Sequence, residues 1–213
     1  MVYPLIKRLA DLSVATLLLL LCAPLLACIS LALWLWQGRP VLYRQRRVGL
    51  HGVPFTLCKF RTMVDAPPPR YADRPVAKRE DPRITPFGRF LRRSALDELP
   101  QLFNVLRGEM SLVGPRPLPE EDLAQPGWLN GMPEEERARR ERWRATRQQV
   151  LPGLTGRWQI TARPTEDFDN WIIADLAYLA HPTLWNDLWI FLCSPYAIVR
   201  GRRPATHTTE PRS

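Results

Sequence analysis

The chain has few of the residues from which metal centres and disulfide frameworks are built. Its 213 residues include four cysteines and three histidines. Cys22, Cys28, Cys58 and Cys193 form no CxxC pair, and two of them lie inside one apolar run, which argues against disulfides and against a zinc site. His51, His181 and His207 stand apart from one another and from every cysteine, so no histidine-based metal site is expected. Lysine is scarce too: 27 of the 30 basic residues are arginine, and against 21 acidic residues the net charge is +9. Alanine, proline and leucine are plentiful as well, so compositional bias explains the arginine excess as readily as phosphate binding does. With 11 glycines, 22 prolines and 46% hydrophobic residues the chain is neither collagen-like, nor a coiled coil, nor disordered throughout. It contains no internal repeat.

What it does contain is a long uncharged run. The 25 residues from Leu12 to Trp36 carry no charge. As a straight helix they reach about 37 Å, against a hydrocarbon core of about 30 Å. The run is too long for the core of a cleaved signal peptide, and Trp34 and Trp36 close it in place of a cleavage site. A plain span and a re-entrant helix both remain. Pro24 divides the run into two twelve-residue halves, and a proline inside a helix removes one hydrogen bond and kinks it. Both flanks are basic: Lys7 and Arg8 before, Arg39, Arg44, Arg46 and Arg47 after. The positive-inside rule then favours both ends on the cytosolic side.

Beyond the run, Val41–Arg47 and Val53–Phe60 read as two strands of a hairpin around Gly49 and Gly52. Proline-rich sequence from Asp65 to Arg83 reads as loop. Helices are expected over about Pro86–Arg93, Leu96–Leu106, Glu134–Gln149 and Asp167–Ala180. The charged helix at Glu134 reads as a solvated face laced by Glu135–Arg139 and Glu136–Arg140 pairs. A last apolar run, Leu188–Val199, is interrupted by Ser194-Pro195 and too short to span; an interfacial helix and a buried core helix fit it equally.

Two clusters carry chemistry. In Arg92-Arg93-Ser94-Ala95-Leu96-Asp97-Glu98 adjacent carboxylates follow two arginines at a helix start, where one carboxylate can attack while the other holds Mg²⁺ beside a bound phosphate. The same residues also resemble a capping box, Ser94-x-x-Asp97. In Gly114-Pro115-Arg116-Pro117 an arginine sits between two prolines, a stiff display suited to phosphate recognition, or a plain surface turn. Lys59 and Arg61 end the second hairpin strand with two more cations.

Three stretches in order resemble the bacterial sugar transferase family, the monotopic polyprenol-phosphate phosphoglycosyl transferases. They are Lys59-Phe60-Arg61-Thr62-Met63, the run from Leu96-Asp97-Glu98-Leu99-Pro100-Gln101 to Leu106, and Met110-Ser111-Leu112-Val113-Gly114-Pro115-Arg116-Pro117. The resemblance extends from about Lys7 to Val199 and includes the proline-broken apolar helix. It implies an aspartate nucleophile at Asp97, a magnesium-binding glutamate at Glu98, phosphate-handling arginines at Arg92 and Arg116, and Lys59 and Arg61 close to the site. Without the extra N-terminal spans of larger members, the chain resembles the minimal form. It departs from the family at Leu151, where arginine is frequent, at Thr161-Ala162, where Asn-Gly or Ser-Gly is frequent, and at Ala23, where serine is frequent.

The resemblance thus implies an α+β fold, a small helical domain around a β-hairpin. Residues 1–40 would form the basic flank and re-entrant membrane helix bent at Pro24, 41–200 a cytosolic catalytic domain with interfacial helices, and 201–213 a basic tail. The expected activity is transfer of a sugar-1-phosphate from a nucleotide diphosphate sugar, UDP-linked, to polyprenyl phosphate at the cytosolic face of the bacterial inner membrane. The expected partners are these substrates and membrane lipids, with Mg²⁺ as cofactor. A catalytically silent, basic membrane-binding scaffold would share the charge and the anchor but gives no reason for Asp97-Glu98. A nucleic-acid-binding protein would not need the apolar run, and none is expected as a partner.

Overall fold

A computed structural model describes residues 2–64, 81–119, 133–161 and 168–200. The expected loop over 65–80, the residues Ala162 and Arg163, and the tail from 201 lie outside them.

The apolar run forms one helix, α1 (Val2–Gln37), which continues through Pro24 rather than ending there. At about 1.5 Å per residue its 36 residues would extend about 54 Å if straight. Asp11, Ala15, Ile29 and Leu33 are buried, with Leu18, Leu19 and Leu26 packed partly beside them. These positions recur every three or four residues and make one stripe along the helix. Leu9, Leu17, Leu20, Leu21, Leu31 and Leu35 are left exposed.

Polar contacts fasten both ends of α1 to the same body. Near the start, Arg8 donates to the carbonyls of Val105 (2.8 Å) and Leu106 (3.2 Å), a cation closing the C-terminus of another helix. Asp11 accepts the backbone N–H of Leu112 at 3.1 Å, and Lys7 pairs with Asp187 at 2.8 Å. At the other end Gln37 donates to Thr85 Oγ1 (2.9 Å), and Trp36 meets the Phe87 ring edge-on at 5.3 Å.

The hairpin is as expected: β1 (Leu42–Val48) and β2 (Pro54–Phe60) pair antiparallel, with Tyr43 opposite Lys59. Helix α2 (Pro86–Ser94) starts on Thr85, whose hydroxyl accepts the N–H of Gly88. The single helix expected over Leu96–Leu106 is two: a 3₁₀ helix, Leu96–Gln101, containing Pro100, then α3 (Leu102–Arg107). The capping-box alternative fails as well, because the Ser94 hydroxyl donates back to the carbonyls of Phe90 (2.9 Å) and Leu91 (3.0 Å). Two short strands that the sequence hid, β3 (Ser111–Val113) and β4 (Gly153–Thr155), pair in parallel around α4 (Glu134–Arg147). Helices α5 (Arg157–Thr161), α6 (Phe168–Leu179) and α7 (Leu184–Arg200) follow, the last running unbroken past Pro195. On α7, Asp187, Ile190 and Ser194 are buried while Trp185, Leu188, Trp189, Leu192, Tyr196 and Val199 are exposed, so the helix has one core face and one bare apolar face.

The main core joins Phe55 and Leu57 of β2, Leu102 and Val105 of α3, Leu112 of β3, Ile190 of α7 and Ala15 of α1. Asn104 sits fully buried at its edge. Its Oδ1 accepts from the N–H of Cys58 (3.2 Å), and its Nδ2 donates to the carbonyl of Thr56 (2.7 Å) and to Glu109 (2.6 Å), which fixes α3 to the hairpin. Replacing Asn104 by alanine strands the buried N–H of Cys58, a loss of about 1–3 kcal/mol, and also removes the partly buried bond to the Thr56 carbonyl. Asn104→Ala is therefore expected to lose ~2–4 kcal/mol, read as a lower thermal unfolding midpoint of the purified protein.

Candidate active site

Asp97 and Glu98 owe their position to a sharp change of direction. Ala95, a non-glycine residue, ends α2 in the left-handed region at φ 55°. That turn lets the 3₁₀ helix run back along the end of β2. Pro100 within it has no N–H to give, and the tighter winding spaces successive side chains about 120° apart. Asp97 consequently turns inward, 7% exposed, while Glu98 stays half-buried on the groove side.

Three elements bring cations to this point. Lys59 comes from β2, with its ammonium over the Tyr43 ring at 5.2 Å. Arg92 comes from α2 and is held by its Nε–H on Thr62 Oγ1 at 2.8 Å. Gly88 makes this contact possible, because a Cβ there would fall 2.1 Å from the Thr62 carbonyl oxygen. Arg116 comes from the Pro115-Arg116-Pro117 loop and shares one groove with Lys59, Glu98, Gln101 and Arg47.

The electrostatics follow from burial. Asp97 is pushed up to about 6, first by loss of water and then by the neighbouring Glu98 charge, with Lys59 and Arg92 opposing. Lys59 is lowered to about 8 by burial and by Arg92, with Asp97 opposing. Arg92 is lowered by burial and raised by Asp97.

The sequence did not mark out the support of Arg116. Its guanidinium stacks on the Trp158 ring at 4.5 Å. Arg47 donates to the carbonyl of Pro117 at 2.9 Å, and the buried Arg147 donates to the carbonyl of Arg116. Arg147 itself stacks on Trp143 at 4.6 Å and faces Asp175 at 3.8 Å, while Asp175 accepts Trp143 Nε1–H at 3.2 Å. Burial pushes Asp175 up to about 6, outweighing the attraction of Arg147. The helix expected to be a solvated face thus buries Trp143 and Arg147, and their spacing of four was the one legible hint. Glycines let β4 lie against this loop: a Cβ at Gly153 would fall 2.0 Å from Gly114 N, and one at Gly156 would fall 2.1 Å from Gly114 O.

Arg61 differs from its expected place. It is buried and donates to the carbonyls of Gln37, Gly38 and Arg39, closing the turn from α1 into β1. The other five expected residues gather around the Asp97 carboxylate and the adjoining groove.

A profile of the bacterial sugar transferase family matches residues 2–201. The chain belongs to that family. It is 36% identical to the undecaprenyl-phosphate galactose phosphotransferase of Salmonella typhimurium, over 92% of this chain and 40% of that protein. It is 42% identical to the UDP-glucose:undecaprenyl-phosphate glucose-1-phosphate transferase of Caulobacter vibrioides, over 87% of this chain and 67% of that one. It is 36% identical to the uncharacterized sugar transferase EpsL of Bacillus subtilis, over 97% and 95% of the two chains. The chain therefore spans less than half of the Salmonella relative and nearly all of EpsL.

In this bacterial sugar transferase the charge on Asp97 opposes folding. With the folded-state value above the unfolded one, this group's contribution to stability is fully present below about pH 4 and is lost as pH rises through about 6. Asp97→Asn removes that charge with little change of shape. At neutral pH the variant is expected to unfold at least ~2 °C above the parent protein in a calorimetric scan, a difference that shrinks toward pH 4.

Proposed function

We propose that this chain transfers a sugar-1-phosphate from a UDP-linked sugar to a polyprenyl phosphate at the cytosolic face of a bacterial membrane, through a covalent intermediate on Asp97. The observation that carries the reading is a buried carboxylate under the electrostatic influence of Lys59 and Arg92, next to Glu98 in a groove that Lys59 and Arg116 also line. A base would have little to do here, because a polyprenyl phosphate is already ionised at neutral pH. A carboxylate nucleophile divides a transfer between two anions into two steps, each with one substrate in the site.

In the first step an oxygen of Asp97 attacks the phosphorus that carries the sugar. The bond to the bridging diphosphate oxygen breaks, and UMP leaves with that electron pair. In the second step an oxygen of the polyprenyl phosphate attacks the same phosphorus and Asp97 leaves as a carboxylate. No net proton is needed in either. Lys59, Arg92 and Arg116 offset the repulsion between Asp97 and the incoming phosphoryl group. The stack of Arg116 on Trp158 and the bond from Arg147 hold that guanidinium in place.

Magnesium fits the donor set. Among the described residues no three His, Cys, Asp or Glu side chains form a metal cage. Two neighbouring carboxylates suit an ion that draws its remaining ligands from water and substrate phosphates, and Glu98, facing the groove, would hold it. When bound, the ion would supply charge neutralisation to the diphosphate.

Both ends of α1 are tied to the body that carries Asp97, which supports a helix that enters the membrane and returns rather than one that crosses it. Its exposed leucines and the bare apolar face of α7 suit burial among lipids, so the site would lie at the interface where the lipid acceptor meets the soluble donor.

Three measurements test the reading. With a panel of UDP-sugars and Mg²⁺, UMP release is expected before any lipid is added, with ping-pong kinetics and a sugar-phosphate mass adduct on the Asp97 peptide; Asp97→Asn should abolish both adduct and turnover. Intersecting double-reciprocal lines with no adduct would leave Asp97 as a base or a metal ligand, and no UMP at all would leave a scaffold. The pH profile of kcat/KM should rise through about 6 as Asp97 ionises and fall above about 8 as Lys59 loses its proton. Lys59→Arg should move only the alkaline limb, upward. For topology, single cysteines replacing Leu5 and Arg39 in a cysteine-free background should both resist an impermeant thiol reagent until the cells are lysed; labelling of one end in intact cells would mean a span.

A further inference from the structure

A second groove, of about 330 Å³, lies on the other side of the hairpin. Thr56 and Cys58 line it, whereas Leu57 and Lys59 line the groove at Glu98, and strand alternation puts these two pairs on opposite faces. Its apolar wall is Leu42, Pro100 and Phe103, the last 47% exposed. Arg44 and Arg107 complete it. Both are exposed, and neither side chain makes a hydrogen bond or ion pair with the described residues.

The groove also has a defined place relative to α1. Leu42 packs beside the buried cluster that includes Ile29 and Leu33 of the second half of that helix, and Arg44 follows it by two residues on the same face of β1. Arg107 ends α3, whose last carbonyls are held by Arg8 near the start of α1. The groove that these two guanidinium groups share is therefore bounded by elements packed on both halves of the apolar helix.

We propose that this groove binds the headgroup of an anionic phospholipid, its phosphate between Arg44 and Arg107 and its acyl chains leaving over Leu42 and Phe103. The volume suits a headgroup and glycerol rather than a whole lipid. Two cations without protein partners call for an anion, and the apolar wall calls for one attached to hydrocarbon. The acceptor substrate is assigned elsewhere, because its phosphate must reach the phosphorus on Asp97, and the neighbours Lys59 and Glu98 line the other groove.

The test is photo-crosslinking of the full chain in phosphatidylcholine nanodiscs containing phosphatidylglycerol, with a benzophenone amino acid in place of Phe103, or of exposed Thr56 if that protein does not fold. A phosphatidylglycerol adduct in preference to phosphatidylcholine is expected. Two interfacial arginines contribute roughly 25-fold in anionic-lipid affinity, so Arg44→Gln with Arg107→Gln should bring the adduct down to the phosphatidylcholine level. Arg139→Gln with Arg142→Gln, exposed residues of α4, removes the same charge and should leave the adduct intact. Equal adducts from the two lipids, equal loss in the α4 control, or displacement of phosphatidylglycerol by polyprenyl phosphate would each overturn the assignment. UMP release in detergent should be the same in both double variants, so failure here is separable from failure of the catalytic reading.

Discussion

Asp97 is a carboxylate taken out of water, and much of the surrounding structure offsets that. Burial alone would drive it to hold its proton. Lys59 and Arg92 pull the other way, and the balance leaves it near 6, ionised at neutral pH yet poorly solvated. Each cation has its own fixing device: a strand register for Lys59, a hydroxyl on Thr62 for Arg92. Arg116 extends the cationic field along the groove and is held by an aromatic stack and by carbonyl bonds to its loop. Cations fixed in this way are preorganised before any ligand is bound.

The second constraint is the union of an apolar helix with a polar body. Most of α1 is bare, and leucines cannot choose an orientation among lipids. Direction comes from the few polar residues on its buried stripe. Arg8 meets the open carbonyls of α3, Asp11 meets the N–H of Leu112, and Gln37 meets Thr85. Asp187 gathers Lys7, Tyr3 and Tyr178, tying α1, α6 and α7 together at one buried carboxylate. Arg61 takes part in this fastening through its bonds to three carbonyls at the exit of α1.

Where expectation and structure part, the reason is in each case a contact distant in sequence. A smooth amphipathic pattern predicted one helix over Leu96–Leu106, but its first half, which contains Pro100 and packs along the end of β2, winds as a 3₁₀ helix. The charged helix α4 looked solvated because its Glu–Arg pairs are local; Trp143 and Arg147 turn inward only because Asp175, on another helix, receives them. Three-residue strands such as β3 and β4 leave no periodicity to find, and their pairing depends on glycines that allow Gly114, Gly153 and Gly156 to touch.

The sequence by itself determined the class of the molecule. An uncharged run with basic flanks, a hairpin bounded by glycines, and an Asp-Glu pair followed by a Pro-Arg-Pro loop are local signals, written in residues next to one another, and their order was enough to place the chain in its family. Only the tertiary structure decided which cations stand over Asp97, which arginine is diverted to the helix exit, and that Trp158, Arg47 and Arg147 hold the loop of Arg116. These depend on groups from different elements meeting in space, and no pattern in a single sequence encodes a distance between elements until packing has fixed it.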